Sequence, residues 1–107
     1  MKLVIAIVQD EDVRDLVDAL RDKKIGATKL SSTGGFLRQG NRTVLIGVEE
    51  ERVEEVMDII GENCRKREIV ATIPPMVEEA SMILQSFNVK VGGATVFVVD
   101  VEQFRKL

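Results

Sequence analysis

The sequence contains no histidine and only one cysteine, Cys64. The first absence excludes an imidazole general base and the Ser-His-Asp triad. The second excludes an intrachain disulfide, and together they leave too few ligands for a structural zinc site. Cys64 is read as an inert, buried or half-buried thiol. No apolar run approaches the roughly 20 residues that cross a bilayer, so no membrane insertion is expected. The opening "MKLVIAIVQDEDV" begins like a secretory signal, but its apolar run stops at Gln9, lacks a small-residue cleavage site and enters acidic residues. It reads as a strand. A broad basic face for nucleic acid is also missing: 15 Lys and Arg stand against 18 Asp and Glu, a net charge of −3. The cysteine usage points to the cytoplasm.

What is present suits a single domain spanning residues 1–107. Hydrophobic residues make up 45% of the chain and charged residues 31%, enough apolar material for one core. A shift of 40 positions, Val4 onto Val44, lays "VIAIVQDEDVRDLVDAL" over "VLIGVEEERVEEVMDII" without a gap. Each copy is an apolar run, an acidic cluster and an amphipathic stretch. Val13, Leu16, Val17 and Leu20 fall at helical spacing, as do Val53, Val56, Met57 and Ile60. Asp10 is placed to cap the first helix, and Glu11 and Asp12 oppose its positive end. Glu50 and Glu51 do the same for the second, after a weak cap at Glu49. A strand follows each helix, "ATKLSS" and then "EIVATI". The expected fold class is therefore α+β, a ferredoxin-like βαββαβ sheet with an added C-terminal strand, "ATVFVVDV".

The strands carry a further message. Leu3 to Val8 is apolar at every position, and Val44 to Val48 and Val96 to Val99 are nearly so. A strand with one wet face alternates instead. Both helices of this fold pack on one sheet face, so the other would expose an apolar patch that monomers rarely tolerate. Another copy of the chain is expected to cover it. The rival cover is "PPMVEEASMILQSFN", in which Met76, Val77, Ala80, Ile83, Leu84 and Phe87 form a helical stripe. This segment, about 74–90, either covers the face or extends as a variable arm.

Between two strand candidates lies "SSTGGFLRQGN", with adjacent glycines at 34 and 35 and a lone aromatic, Phe36. A turn needs the glycines but not the phenylalanine. Gly34 and Gly35 permit close approach of a ligand to the main chain, and neighbouring N–H groups can converge on an anion. Phe36 offers a ring on which a base can stack. Arg38 or Arg42 can meet phosphate, and Asn41 a base edge. The plain alternative is a hairpin turn with Phe36 packed on a neighbour. The second glycine pair, in "VGGATV", reads as a bulge or bend.

These residues meet a family. "IAIVQDED", "ATKLSSTGGFLRQGN", "ERVEEVMDII", "NCRKRE" and "VGGATVFVVDVEQF" closely resemble the cyclic-di-AMP receptors of the PII-like group, over nearly the whole chain. The resemblance implies a homotrimer that binds the dinucleotide between subunits, is not an enzyme, and needs no cofactor, metal or catalytic residue. The ligand contacts it implies are Thr28, Gly35, Phe36, Leu37, Asn41 and Gly47. Thr28 and Asn41 would read adenine edges or ribose. Gly35, Phe36 and Leu37 would wrap a base, and Gly47 would let the ligand lie on its strand. The chain departs from its relatives at Gly26, where they often carry arginine; Lys24, Lys29 and Lys106 are the candidate substitutes.

The expected function is a signalling receptor whose loops change conformation on binding cyclic-di-AMP, to be read by an unknown protein partner. The alternative ligand is ATP, ADP or another adenine nucleotide. An acylphosphatase of the same architecture would place a phosphate-cradling loop and arginine after the first strand. Gln9, Asp10, Glu11 and Asp12 stand there instead and would repel phosphate. A trimeric scaffold without ligand is the remaining reading.

Overall fold

The computed structural model describes residues 1–30, 40–73 and 85–107. Eight elements follow one another: β1 (Lys2–Gln9), α1 (Asp10–Asp22), β2 (Ala27–Leu30), β3 (Asn41–Val48), α2 (Val53–Cys64), β4 (Arg67–Ile73), β5 (Gln85–Val91) and β6 (Ala94–Asp100). A single 3-10 turn, Glu50–Arg52, leads into α2. The fold is α+β, with an antiparallel sheet and two helices, consistent with a ferredoxin-like, PII-like domain.

The repeat holds at the level of elements. β1 and β3 are its two strands and lie side by side at the sheet centre, with Val4 opposite Ile46 and Ala6 opposite Val44. One face of this pair buries Val4, Ala6, Val8, Val44, Ile46 and Val48 against the helices. Helix α1 contributes Val13, Leu16 and Leu20; α2 contributes Val56, Ile59, Ile60 and Cys64. Ile59 and Cys64 lie outside the stripe read from the sequence. α2 also packs on α1, so its apolar face is wider than the sheet alone requires.

The helix ends differ in detail from expectation. Gln9, not Asp10, precedes α1, and no side chain caps the helix; Asp10, Glu11 and Asp12 fill its first turn. At the other end the Ile25 N–H donates to the Leu20 carbonyl at 2.9 Å and the Lys24 N–H to that of Arg21 at 2.8 Å. This is a Schellman closure with Lys24, at φ +59°, where glycine is usual. Ile25 then turns back into the core. Arg52 joins the helices by donating to the Lys23 carbonyl at 3.0 Å while paired with Glu55.

Two expectations are corrected. The sheet order is β2-β3-β1-β6. The C-terminal strand is therefore not an addition beside a complete four-stranded sheet: it takes the place next to β1, with Ile5 opposite Phe97. The strand "EIVATI" belongs to β4, which pairs instead with β5 in a separate two-stranded sheet. The helical stripe is the second correction, for its last part. Residues 85–91 are strand, so Phe87 lies on no helix. The reason is legible in "QSFNVKV", where Phe87, Val89 and Val91 alternate with polar residues, the period of a strand. Residues 74–84, with the rest of the stripe, lie outside the described residues.

Candidate functional site

The helices cover one sheet face; the register defines the other. Leu3, Ile5 and Ile7 of β1 lie opposite Gly47, Leu45 and Thr43 of β3, and on the other side opposite Val99, Phe97 and Thr95 of β6. Alternation along a strand places all of these on the face away from the helices. It is apolar and uncovered at its β6 edge, where Phe97 is 52% and Val99 43% exposed. This is the two-faced hydrophobicity that the strand composition announced.

Three of the six residues named from the sequence lie on this same face. Thr28 is opposite Leu45, so Gly47 is its diagonal neighbour, about 7–8 Å away by sheet geometry. Asn41 shares the parity of Leu45 and Gly47 and opens β3, opposite Gln9. Gly35, Phe36 and Leu37 lie outside the described residues, as does Arg38. Gly47 has ordinary negative φ, and a Cβ built on it meets nothing within 4 Å. Within the described residues nothing in the protomer requires that position to be bare, although glycine inside a strand costs roughly 0.5–1 kcal/mol. Gly26 has open space in the same sense, so it admits a side chain. Lys29 has the opposite parity to Thr28 and is directed to the helix side; Lys24 closes α1, and Lys106 is in the exposed C-terminal segment. Arg42 is likewise engaged elsewhere, 3.2 Å from the Asp10 carboxylate.

Beyond Asn41 the open face runs into a cavity of about 380 Å³, lined by Ile7, Gln9, Asn41, Lys66, Gly92 and Thr95 among others. The second glycine pair forms its far wall. Gly92 and Gly93 stand at φ +85° and +100° and carry the chain from β5 into β6, so the bend read from the sequence is there. A Cβ at Gly92 would collide with the Arg65 carbonyl and the Arg67 guanidinium, so this glycine is required by its surroundings. The Gly92 N–H donates to Gln9 Oε1 at 2.7 Å, and the Gly93 N–H donates to the Cys64 carbonyl.

One buried charge lies nearby. Asp12 is 2% exposed and accepts from Arg67 Nη2 at 2.6 Å. Arg67 also donates to the Arg65 carbonyl at 3.1 Å. Hydrogen bonding to Asp12 holds the Arg67 guanidinium above its ordinary pKa. Cys64 is fully buried, and burial, with the Asp12 charge second, pushes its thiol from 9.0 to about 11. It is a poor nucleophile near neutral pH, as its sequence context suggested. Gln9, Asp12, Lys66 and Arg67 were not singled out for this neighbourhood by sequence reasoning. Only the glycine pair gave a local signal for it.

Comparison with known proteins finds both a family and similar solved structures. The family model for the cyclic-di-AMP receptor matches residues 1–107, the whole chain. A crystal structure of a functionally unknown protein from Pediococcus pentosaceus is 48% identical, with the match covering 99% of this chain and 96% of that one, at a TM-score of 0.78.

Proposed function

This chain belongs to the cyclic-di-AMP receptor family, and we propose that it is a non-enzymatic signalling receptor, binding the dinucleotide in a crevice between copies of itself. Three copies close their open sheet faces on one another. Thr28 and Asn41 read adenine edges or ribose, Gly35, Phe36 and Leu37 wrap a base, and the ligand lies against the bare strand at Gly47. Binding alters the surface that a downstream protein partner reads.

The observation that carries this reading is an apolar sheet face, open at its β6 edge, that sets Thr28 diagonal to Gly47 and carries Asn41 about 20 Å away at the other end of β3, with Gly47 bare and open space above it. A strand glycine with no packing reason in its own described protomer fits a position kept clear for something that approaches from outside. The apolar face itself fits a partner surface of the same kind, since closed symmetry lets one patch meet others like it.

The test is calorimetry with cyclic-di-AMP against ATP and cyclic-di-GMP, beside a measurement of solution mass at micromolar concentration. Heat with cyclic-di-AMP alone, and a mass of three chains, are expected. Heat with ATP and none with cyclic-di-AMP would move the reading to an adenine-nucleotide sensor. A mass of one chain would remove the intersubunit crevice. Gly47→Val is expected to leave the helices and the trimer intact while abolishing the heat.

A further inference from the structure

The β4–β5 arm is rooted in the body through a four-residue segment, Gln9 to Asp12, at the junction of β1 and α1. Asp12 holds the β4 end by pairing its buried carboxylate with the partly exposed Arg67 guanidinium. Gln9 holds the β5 end: its side-chain oxygen accepts the Gly92 N–H at 2.7 Å. The same segment also holds the start of β3. The Asp10 N–H donates to the Gly40 carbonyl at 2.7 Å, Arg42 pairs with Asp10, and the Gln9 backbone is opposite Asn41 in the ladder.

Gln9 therefore touches two things at once. Its backbone is registered on Asn41 and its carboxamide on Gly92, and all three line the same cavity of about 380 Å³. Gly92 is left-handed, and its backbone passes so close to the Arg65 carbonyl and the Arg67 guanidinium that no side chain would fit there. The Gln9–Gly92 hydrogen bond is thus a direct connection between the Asn41 end of the face and the root of β5.

We infer that Gln9 is a positioning residue that couples occupancy of the Asn41 end of the site to the root of the β4–β5 arm. The coupling runs through one hydrogen bond between residues 83 positions apart in sequence. It rests on the ligand reading above. By linkage, whatever the ligand does to the arm, the arm state does to ligand affinity by the same factor.

The experiment is amide hydrogen exchange on the full chain, with and without saturating cyclic-di-AMP, read at Val89, Lys90 and Val91. Calorimetry on the same samples establishes whether the site is filled. In the wild type, ligand is expected to change exchange at these amides by about tenfold, within the usual range of coupling energies. In Gln9→Ala the ligand-dependent change falls to less than about twofold although the site is filled, while β1 and β3 amides stay protected and show the variant folded. Gln9→Glu keeps an acceptor oxygen and retains the response. A full response in Gln9→Ala, a lost response in Gln9→Glu, or a filled wild-type site with no arm response each overturns the inference alone. Absence of heat in the wild type overturns the ligand reading and this inference with it, so the two failures are told apart.

Discussion

The four-stranded sheet and the two-stranded arm use the same antiparallel pairing, yet they stand on different physical footings. In the body, each central strand buries alternate residues under two helices, and Val4, Ala6, Val44 and Ile46 are fully inaccessible. In the arm, no described side chain is buried; Ile69 and Val70, on opposite faces of β4, are 47% and 68% exposed. A lone two-stranded ribbon is marginal in water. Ladder hydrogen bonds are thus common to both regions, and among the described residues the packed second layer belongs to one. The arm is anchored through its root: Asp12 with Arg67 at one strand, Gln9 with Gly92 at the other.

The largest test of this contrast is truncation in each region. Ile46→Ala is expected to lower unfolding free energy by about 2–5 kcal/mol, and Ile69→Ala by less than about 0.5 kcal/mol. Urea unfolding at fixed protomer concentration reads both; equal losses would erase the distinction.

Alkali tests the seam where α2 meets the bend. The Cys64 thiol is raised in the folded chain from 9.0 to about 11. The folded state therefore holds its proton longer than the unfolded state, so this contribution is full below pH 9 and declines as pH rises toward 11. The loss is roughly 2–3 kcal/mol. Cys64→Ala should flatten that part of a pH–stability profile, and an unchanged slope would contradict the burial.

Arg67→Ala sharpens the account of the root. It leaves the Asp12 carboxylate buried without its described partner and is expected to cost roughly 1–2 kcal/mol. In thermal unfolding, Asp12→Ala in the same background should recover part of that loss, because the unpaired charge goes with it.

The smallest effect is in the body. Lys24→Gly relieves a non-glycine residue at φ +59° and is expected to stabilise by about 0.5–1 kcal/mol, measured as a raised urea midpoint.

The shared face of Thr28, Asn41 and Gly47 was legible; Gly35, Phe36 and Leu37 lie outside the described residues. Once β3 and its neighbours are strands, parity alone puts Asn41, Leu45 and Gly47 on one face, and the apolar composition of β1 and β6 says that this face is not meant for water. The quoted glycine-loop motif supplied the family resemblance that the whole-chain match bears out. The alternation of Phe87, Val89 and Val91 is equally present in the sequence, but the helical spacing of the apolar residues before it competes with it, and pairing with β4 decides for a strand. What had no local signal was the contact of Gln9 with Gly92 or of Asp12 with Arg67. Glutamine, aspartate and arginine near a strand end look the same whether they meet solvent or a residue dozens of positions away.

The identity of the repeated elements came from the sequence by itself, though that of β5 did not: apolar periodicity sets which backbone conformation buries a continuous face, and the repeated unit imposes two strands and two helices. It also excluded an imidazole group and an intrachain disulfide through the residues it lacks. Only the tertiary structure decided which strand lies beside β1. "EIVATI" and "ATVFVVDV" both have the composition of a strand, and local preference does not choose between them. The choice is non-local: β6 fits against β1 from Lys2 to Val8, whereas β4 pairs with β5 across the separate arm. Pairing and packing summed over distant residues made that selection, and with it placed Gly92 against Gln9.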